Sequence, residues 1–272
     1  MKHQMSGSKL QAEIDAAKAY EALFVPALFG QWAPKVADAA RVETGQRVLD
    51  VGCGTGILAR EVSGRVGSSG RVTGIDPSPG MLAVAKQLAP SLDWREAAAE
   101  SLPFPDESFD VVVSQFGLMF FMDQRQAIRE MLRVLIAGGR LGVAVWDSLE
   151  NIPAYASAVA MLQHTAGQQA ADALRAPFVL GSRDELYRVF SEADADSVEI
   201  TSHAGTAHFP SIRTMVEADL RGWLPVMGVV LSEERINNIL QEAEHALSPY
   251  TTPEGSVRFD VSAHIVTVMN YD

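Results

Sequence analysis

Two carboxylates and three glycines stand at the spacing of a loop that grips a ligand. Asp50 lies near the end of an apolar run, Arg47–Val51, and Gly52, Gly54 and Gly56 follow at every second position. Glycines so placed let the backbone come almost into contact with a ligand, because no side chain intervenes. Asp76 closes the next apolar run, twenty residues beyond Gly56. A carboxylate there offers two acceptor oxygens to a pair of sugar hydroxyls. Open α/β sheets hold their ligands at such strand ends, so the pattern predicts an adenosine-type cofactor held by its sugar and tail. A nicotinamide dinucleotide fits less well. Its G-x-G-x-x-G fingerprint needs a third glycine for close helix packing under a pyrophosphate, and that position is Ile57.

Other reactive residue types are sparse. Cys53, inside the glycine loop, is the single cysteine and reads as a small filler. Six histidines occur, at positions 3, 164, 203, 208, 245 and 264. None has metal-ligand spacing with another on a helix, and no Ser/His/Asp set or cysteine cluster supports hydrolysis or a metal site. His203 and His208 fall on a late strand and are the weak candidates for a proton acceptor.

These residues need strands and helices to position them. The first forty residues read as two helices, residues 11–28 and 29–41, interrupted by Pro26. A regular alternation follows. Strands are expected at 47–51, 71–76, 92–96, 109–114 and 140–146, with helices at 57–66, 79–89 and 123–136. Ser78 is a plausible N-cap with Pro79 behind it. Gly138-Gly139 is expected to end the third helix. Val111-Val112-Val113 is the continuous apolar run of a strand buried on both faces. Five strands alternating with helices predict a parallel, doubly wound α/β sheet.

Beyond Trp146 the pattern loosens. Residues 152–164 read as a helix. Ser182-Arg183-Asp184-Glu185 has the capping-box pattern ahead of another. Residues 198–209 and 257–269 alternate like strands, and 211–247 are mainly helical. The expected architecture is therefore a mostly parallel, seven-stranded Rossmann-like sheet with a helical insertion between the last two strands. Its expected parts are N-terminal covering helices (1–44), a cofactor-binding core (45–150), and a segment (151–272) that completes the sheet and covers the substrate through residues 211–253. Long segments outside a sheet are often lids or binding elements.

Composition narrows the partners. The formal net charge is −12, and 18 of the 34 acidic residues but only 7 of the 22 basic ones lie after Trp146. So acidic a surface repels phosphate backbones, which argues against nucleic acid. No run of eighteen apolar residues suggests a membrane span, and the N-terminus lacks the apolar run of a secretion signal. A lone cysteine fits a reducing compartment, so a cytoplasmic location is expected. An oligomer is compatible with all of this.

Taken together, the motifs resemble class I S-adenosylmethionine-dependent methyltransferases, in the subgroup similar to ubiquinone/menaquinone-biosynthesis methyltransferases. The resemblance runs over about residues 20–146. It is carried by Leu49-Asp50-Val51-Gly52-Cys53-Gly54-Thr55-Gly56, Gly74-Ile75-Asp76, Met81-Leu82, Ala99-Glu100-Ser101-Leu102-Pro103-Phe104-Pro105-Asp106-Glu107-Ser108-Phe109-Asp110, Glu130-Met131-Leu132-Arg133-Val134-Leu135 and Gly138-Gly139-Arg140-Leu141.

The resemblance implies S-adenosyl-L-methionine as cofactor and methyl transfer to a small-molecule acceptor by in-line displacement. It implies cofactor contacts from Gly52, Cys53, Gly54 and Gly56 on the methionine portion and ribose. Asp50 would orient the loop, and Asp76 would bind the ribose hydroxyls, followed by Pro77. Met81 would pack on the adenine face, and Ala98, Ala99 and Glu100 would line its edge. Ser114, Gln115 and Phe116 would face the reacting methyl group. Tyr20 and Phe24 lie on the N-terminal helix that often covers the cofactor in similar proteins. One departure stands out: the family usually has an aspartate where this chain has Ala98. A lost hydrogen bond of that kind costs about 1.5–3 kcal/mol, roughly one to two decades in affinity. A protein of this fold that binds the cofactor without transferring is the alternative, and a nicotinamide-dependent oxidoreductase a weaker one.

Overall fold

The computed structural model describes residues 2–271, with the side chains of residues 7–271; His3 lies outside the described side chains. Seven strands form one sheet in the order β3-β2-β1-β4-β5-β7-β6. These are β1 (Arg47–Val51), β2 (Arg71–Asp76), β3 (Asp93–Glu96), β4 (Phe109–Gln115), β5 (Leu135–Trp146), β6 (Glu199–Phe209) and β7 (Val257–Met269). The first five are parallel, and β7 runs antiparallel to both β5 and β6.

The centre of the sheet follows from its apolar runs. Leu49 is flanked by Thr73 on β2 and Val112 on β4. Val48, Leu49, Val112 and Val113 have no exposed surface, as expected of strands covered by helices on both faces. Because β1, β2 and β4 are parallel, their carboxyl ends share one edge. Asp50 therefore stands between Gly74 and Val113, one residue before Ser114 in the neighbouring register.

The helices are placed by local signals. In α1 (Lys2–Phe24) and α2 (Ala33–Ala39) the chain covers the sheet from its N-terminus, and the two are joined by a π-helical turn, Val25–Phe29. Pro26 sits in that turn, where its missing N–H costs no regular hydrogen bond. The helix α3 (Ile57–Val66) starts directly from Gly56, which is left-handed at φ +85°. Ser78 accepts a hydrogen bond from the Met81 N–H at the start of α4 (Pro79–Leu88), and Asp123 does the same for Gln126 in α5 (Gln124–Arg133). Beyond the parallel strands come α6 (Pro153–Thr165), α7 (Gln168–Arg175) and α8 (Arg183–Ser191), the last capped by Ser182. Between β6 and β7, α9 (Ile212–Ala218) passes through a second π-helical turn, Asp219–Trp223, into α10 (Leu224–Val226) and then α11 (Glu233–Ala246).

Two elements differ from expectation. The helix expected to reach residue 136 stops at Arg133, and β5 begins at Leu135 rather than Arg140. Phe109 pairs with Leu135 but Val111 already pairs with Arg140, so the extra residues bulge out of register. Asn270 holds that bulge, donating from Nδ2 to the Leu135 and Ile136 carbonyls and accepting the Gly138 N–H. Gly138, at φ +77°, turns within the bulge rather than closing a helix. Helix α7 has no counterpart in the sequence reading, although Gln168–Arg175 sets a buried face of Ala170, Ala171, Ala173 and Leu174 against polar Gln169 and Asp172; the stretch is only eight residues long.

A buried polar knot fastens the end of β5 to β7 and to the segment before α8. Asp147 accepts hydrogen bonds from the Ser148 N–H, Asn151 Nδ2 and Ser262 Oγ, and the buried His264 Nε2 lies 3.2 Å from its Oδ1. His264 also contacts the Gly181 carbonyl and Ser202 Oγ, each at 2.9 Å. Burial pushes the Asp147 carboxyl up, but these donors outweigh it and hold the group below its ordinary value of 3.8. A depressed folded pKa means that the carboxylate's share of stability is complete above about pH 4 and drains away as pH falls further. Asp147→Ala is therefore expected to cost about 1.5–3 kcal/mol at pH 7, with the gap from wild type narrowing towards pH 3 in urea-denaturation curves.

Candidate functional site

The carboxyl edge of β1, β2 and β4 forms a cleft whose wall is the glycine loop. Asp76, at the end of β2, is the tie between its two turns. Its Oδ2 accepts the Gly54 N–H at 2.9 Å, and its Oδ1 accepts the Ser78 N–H at 2.8 Å. Each oxygen keeps a second lone pair for a ligand hydroxyl. Burial raises the Asp76 carboxyl, and the two backbone donors oppose the shift. The Cys53 N–H donates to Ile75 O and the Gly56 N–H to Cys53 O, so the loop backbone is fully defined.

The three loop glycines differ in what their missing side chains permit. A Cβ on Gly54 would meet nothing within 4 Å, so this residue faces open space. A Cβ on Gly56 would stand 2.4 Å from the Trp94 ring, and one on Gly52 3.2 Å from Phe121. Gly56 is thus required by internal packing, and Gly54 alone opens onto the cleft. Cys53 is buried, and burial together with Asp50 and Asp76 pushes its thiol well up. It therefore stays protonated and packs as a filler.

Unpartnered polar atoms gather along this edge. Both Asp50 carboxylate oxygens, Thr55 Oγ, Ser114 Oγ and Gln115 Oε1 are buried without a hydrogen-bond partner, as is Glu21 Oε2 on α1. Burial lifts the Asp50 carboxyl to about 7; the nearby Ala59 N–H opposes the shift without making a bond of normal geometry, and the Asp76 charge adds to it. Buried orphans are rare in folded proteins, and a cluster on one edge marks where polar ligand groups belong. An α-ammonium against Asp50 and ribose hydroxyls against Asp76 fit this donor and acceptor set.

The remaining expected residues divide around the cleft. The Ala97 N–H donates to Asp76 O, which brings Ala98 and the buried Ala99 beside it. Ala98 and Pro77 are exposed and Met81 is half-buried. Glu100 is engaged elsewhere: its Oε1 accepts the Met122 and Asp123 N–H groups. Gln115 Nε2 donates to Phe29 O in the first π-helical turn. Phe116 is held at φ +55°, a strained conformation for an aromatic residue. Its ring stacks on Trp146, with centroids 3.9 Å apart and planes at 11°.

Behind Phe116 opens a second compartment, an apolar cavity of about 120 Å³. Tyr20 and Phe24 from α1 and Leu28 and Phe29 from the first π-helical turn form one wall. Phe116, Phe120 and Trp146 form the floor at the ends of β4 and β5. Ile152 just before α6, Tyr155 of α6, Leu174 of α7, Phe178, Trp223 and Val261 of β7 complete it. Tyr20 connects the two compartments. Its ring lines the cavity, and its hydroxyl, raised chiefly by burial, also feels the charges of Glu21 and Asp76.

One charged group projects into this apolar space. Asp219, on the second π-helical turn, is 4% exposed and lines the cavity. Burial lifts its carboxyl to about 8 with no opposing donor. Sequence reasoning passed over Asp219, since a single aspartate in a helical insertion carries no spacing signal. Neither histidine candidate lines the cavity. His203 lies on the edge strand β6 with Nε2 2.9 Å from Thr201 Oγ, and burial and Lys35 lower its proton affinity. His208 borders a separate, more open pocket of about 410 Å³ with Glu254 and Arg258. Among the described residues no group of His, Cys, Asp and Glu could hold a metal ion, and no helix is long and apolar enough to cross a membrane.

Comparison with known proteins agrees with this geometry. Residues 49–143 match the family described as Methyltransferase domain. The demethylmenaquinone methyltransferase of Staphylococcus aureus is 34% identical over 188 residues, covering 64% of this chain and 78% of that protein. The ubiquinone/menaquinone biosynthesis C-methyltransferase UbiE of Xanthomonas oryzae is 42% identical over 118 residues, and the match spans only 47% of its length. Among solved structures, the YcgJ protein of Bacillus subtilis superposes with a TM-score of 0.58 at 20% identity, over 89% of this chain and 99% of that one. This last likeness concerns the fold.

The contrast between two glycines is testable. Gly56→Ala places a methyl group against Trp94 in a left-handed backbone, and is expected to cost about 2–4 kcal/mol from conformational strain and overpacking. Gly54→Ala meets no protein atom, so its cost is expected to stay near the 1–2 kcal/mol of the backbone conformation. Urea denaturation of the two variants would measure the difference.

Proposed function

The chain belongs to the class I S-adenosylmethionine-dependent methyltransferases of the ubiquinone/menaquinone-biosynthesis type, and we propose that its acceptor is a small molecule with a flat apolar ring, taken into the aromatic cavity. The observation that carries this reading is the pairing of compartments. A polar strand edge suited to the cofactor lies near an aromatic cavity, and Tyr20, which lines the cavity, is close enough to feel the Asp76 charge. A dry cavity of about 150 Å³ is enough to bind benzene in other proteins, so the space suits a single ring. Names of the relatives point the same way, since both concern quinone biosynthesis.

The cofactor supplies an activated methyl group on a positively charged sulfur. Asp76 would hold the ribose through the lone pairs that Gly54 and Ser78 leave free. Asp50 would hold the amino group, and a bound cation there would keep the carboxylate ionised. Gly54 gives the tail room to lie against the loop. Phe116, strained and stacked on Trp146, would form the partition across which donor and acceptor meet. Positioning of this kind is worth up to about 7–11 kcal/mol of the barrier, and the apolar walls exclude water from competing.

Two results are expected of the cofactor site. Asp76→Ala should weaken S-adenosylhomocysteine binding at least about tenfold, the loss of roughly 1.4 kcal/mol of charged hydrogen bonding; unchanged affinity in calorimetry overturns the assignment. Affinity should also depend on pH with a definite sign. The Asp50 carboxyl titrates near 7 in the free protein and must be ionised to meet an ammonium, so affinity rises as pH increases through 7. Asp50→Asn should flatten that rise. The function itself is tested by transfer of a radiolabelled methyl group to hydroxylated aromatic compounds and to amines of similar size.

A further inference from the structure

The cavity contains one feature that methyl-acceptor packing alone does not require. We propose that Asp219 is the proton acceptor for a ring hydroxyl of the acceptor seated in the aromatic cavity. This rests on the acceptor reading above and adds to it the identity of the base.

Asp219 has none of the signs of a structural aspartate. Its carboxylate is buried, makes no hydrogen bond and has no cation beside it among the described residues. A buried charge without a partner is costly, so the position is explained by something the carboxylate meets when the cavity is filled. The backbone is built to aim it. Asp219 begins a π-helical turn, a feature frequent at functional sites, and Trp223 ends the same turn. Both line the cavity. Trp223 anchors the turn by donating from Nε1 to the Ala173 carbonyl at 2.8 Å. Leu28 and Phe29 of the first π-helical turn, Val25–Phe29, line the same cavity.

The other titratable groups facing this space are Tyr20 and Tyr155. Burial pushes both hydroxyls up, and the Asp219 charge adds to the shift at Tyr155. Both tyrosines stay neutral. Asp219 is left as the lining group that can take a proton near neutrality, and its carboxyl at about 8 lies within roughly two units of an ordinary phenol near 10, a useful match for proton transfer. An ammonium paired with the ionised carboxylate would instead keep the proton that blocks its lone pair.

In the step itself the hydroxyl O–H bond breaks and a carboxyl O–H bond forms on Asp219. The electron pair left on oxygen, or shared with the adjacent ring carbon, takes the methyl group, and the old carbon–sulfur pair stays on sulfur. Attack through oxygen ends at the ether. Attack through carbon leaves a dienone; Asp219 returns its proton to the ring oxygen, the ring proton passes to water, and the phenol is restored.

The test uses the full chain with methyl-labelled S-adenosylmethionine and two probes, hydroquinone and 4-nitrophenol, the second largely ionised at pH 8 without help. For wild type with saturating S-adenosylmethionine, kcat/KM with hydroquinone should rise to about pH 8 and level off, while 4-nitrophenol rises only with its own ionisation, which is largely complete before that point. Asp219→Asn should lower kcat with hydroquinone at least about a hundredfold, and with 4-nitrophenol no more than tenfold. Its melting temperature at pH 8 should equal or exceed that of wild type, because a raised folded pKa means that the charged form destabilises the fold as pH climbs from 4 to 8. Equal losses on both probes, no loss on either, or labelling of benzylamine in place of the phenols overturns the proposal. So does a wild-type enzyme that binds S-adenosylhomocysteine yet labels neither phenol. Absence of S-adenosylhomocysteine binding would instead sink the methyltransferase reading beneath it. Should the variant fail to fold, the wild-type profiles still test the proposal: a hydroquinone profile that levels off no later than that of 4-nitrophenol overturns it.

Discussion

The carboxylate of Asp76 joins two turns that share no other covalent or sequence relationship. By accepting the Gly54 N–H on one oxygen and the Ser78 N–H on the other, it sets the glycine loop after β1 against the start of α4. The loop's left-handed residues at Gly52, Gly54 and Gly56 are affordable because those backbone groups are paired rather than stranded. Everything on the carboxyl edge takes its position from this joint. Asp50 is held one strand away, Ser114 and Gln115 one strand further, and each keeps polar atoms turned inward without partners.

Such an edge is stable only if something covers it. α1 and the π-helical turn behind it lie across the cleft, and the insertion between β6 and β7 supplies the opposite cover. Their meeting surface is aromatic rather than polar. Tyr20 stacks on Phe29 at 5.3 Å, Phe29 tilts on Phe116 at 5.5 Å, and Phe120 meets Trp223 at 5.0 Å. Large rings pack well but leave gaps where flat faces meet at angles. The cavity is that gap, and Asp219 is the one carboxylate among its lining residues.

Local signals carried much of the architecture. Strands β1, β2 and β7 and helix α3 stand where the sequence places them, because apolar runs bounded by glycine, proline and capping residues dictate their ends without outside help. Where a partner decided, the reading failed. Leu135 to Gly139 joined β5 because Phe109 and Asn270 bond to their backbone, and nothing within residues 123–139 announces that. Helix α7 escaped notice although its polar and apolar residues alternate at helical spacing: it spans two turns, too short for the pattern to repeat.

The same division holds for the site. By itself the sequence set out the half proposed to hold the cofactor: three alternating glycines and two strand-end carboxylates lie close in chain order, so the proposal could be read from their spacing. The acceptor half belongs to the tertiary structure alone. Tyr20, Phe116, Tyr155 and Asp219 come from four separate elements, and their relation is one of distance across a cavity. His203 and His208 are reactive types on a plausible strand, yet the edge position of β6 leaves both outside the cavity lining. Asp219 is an unremarked aspartate in a helix, and a π-helical turn carries it there. Burial, which no linear pattern encodes, is what makes it a base.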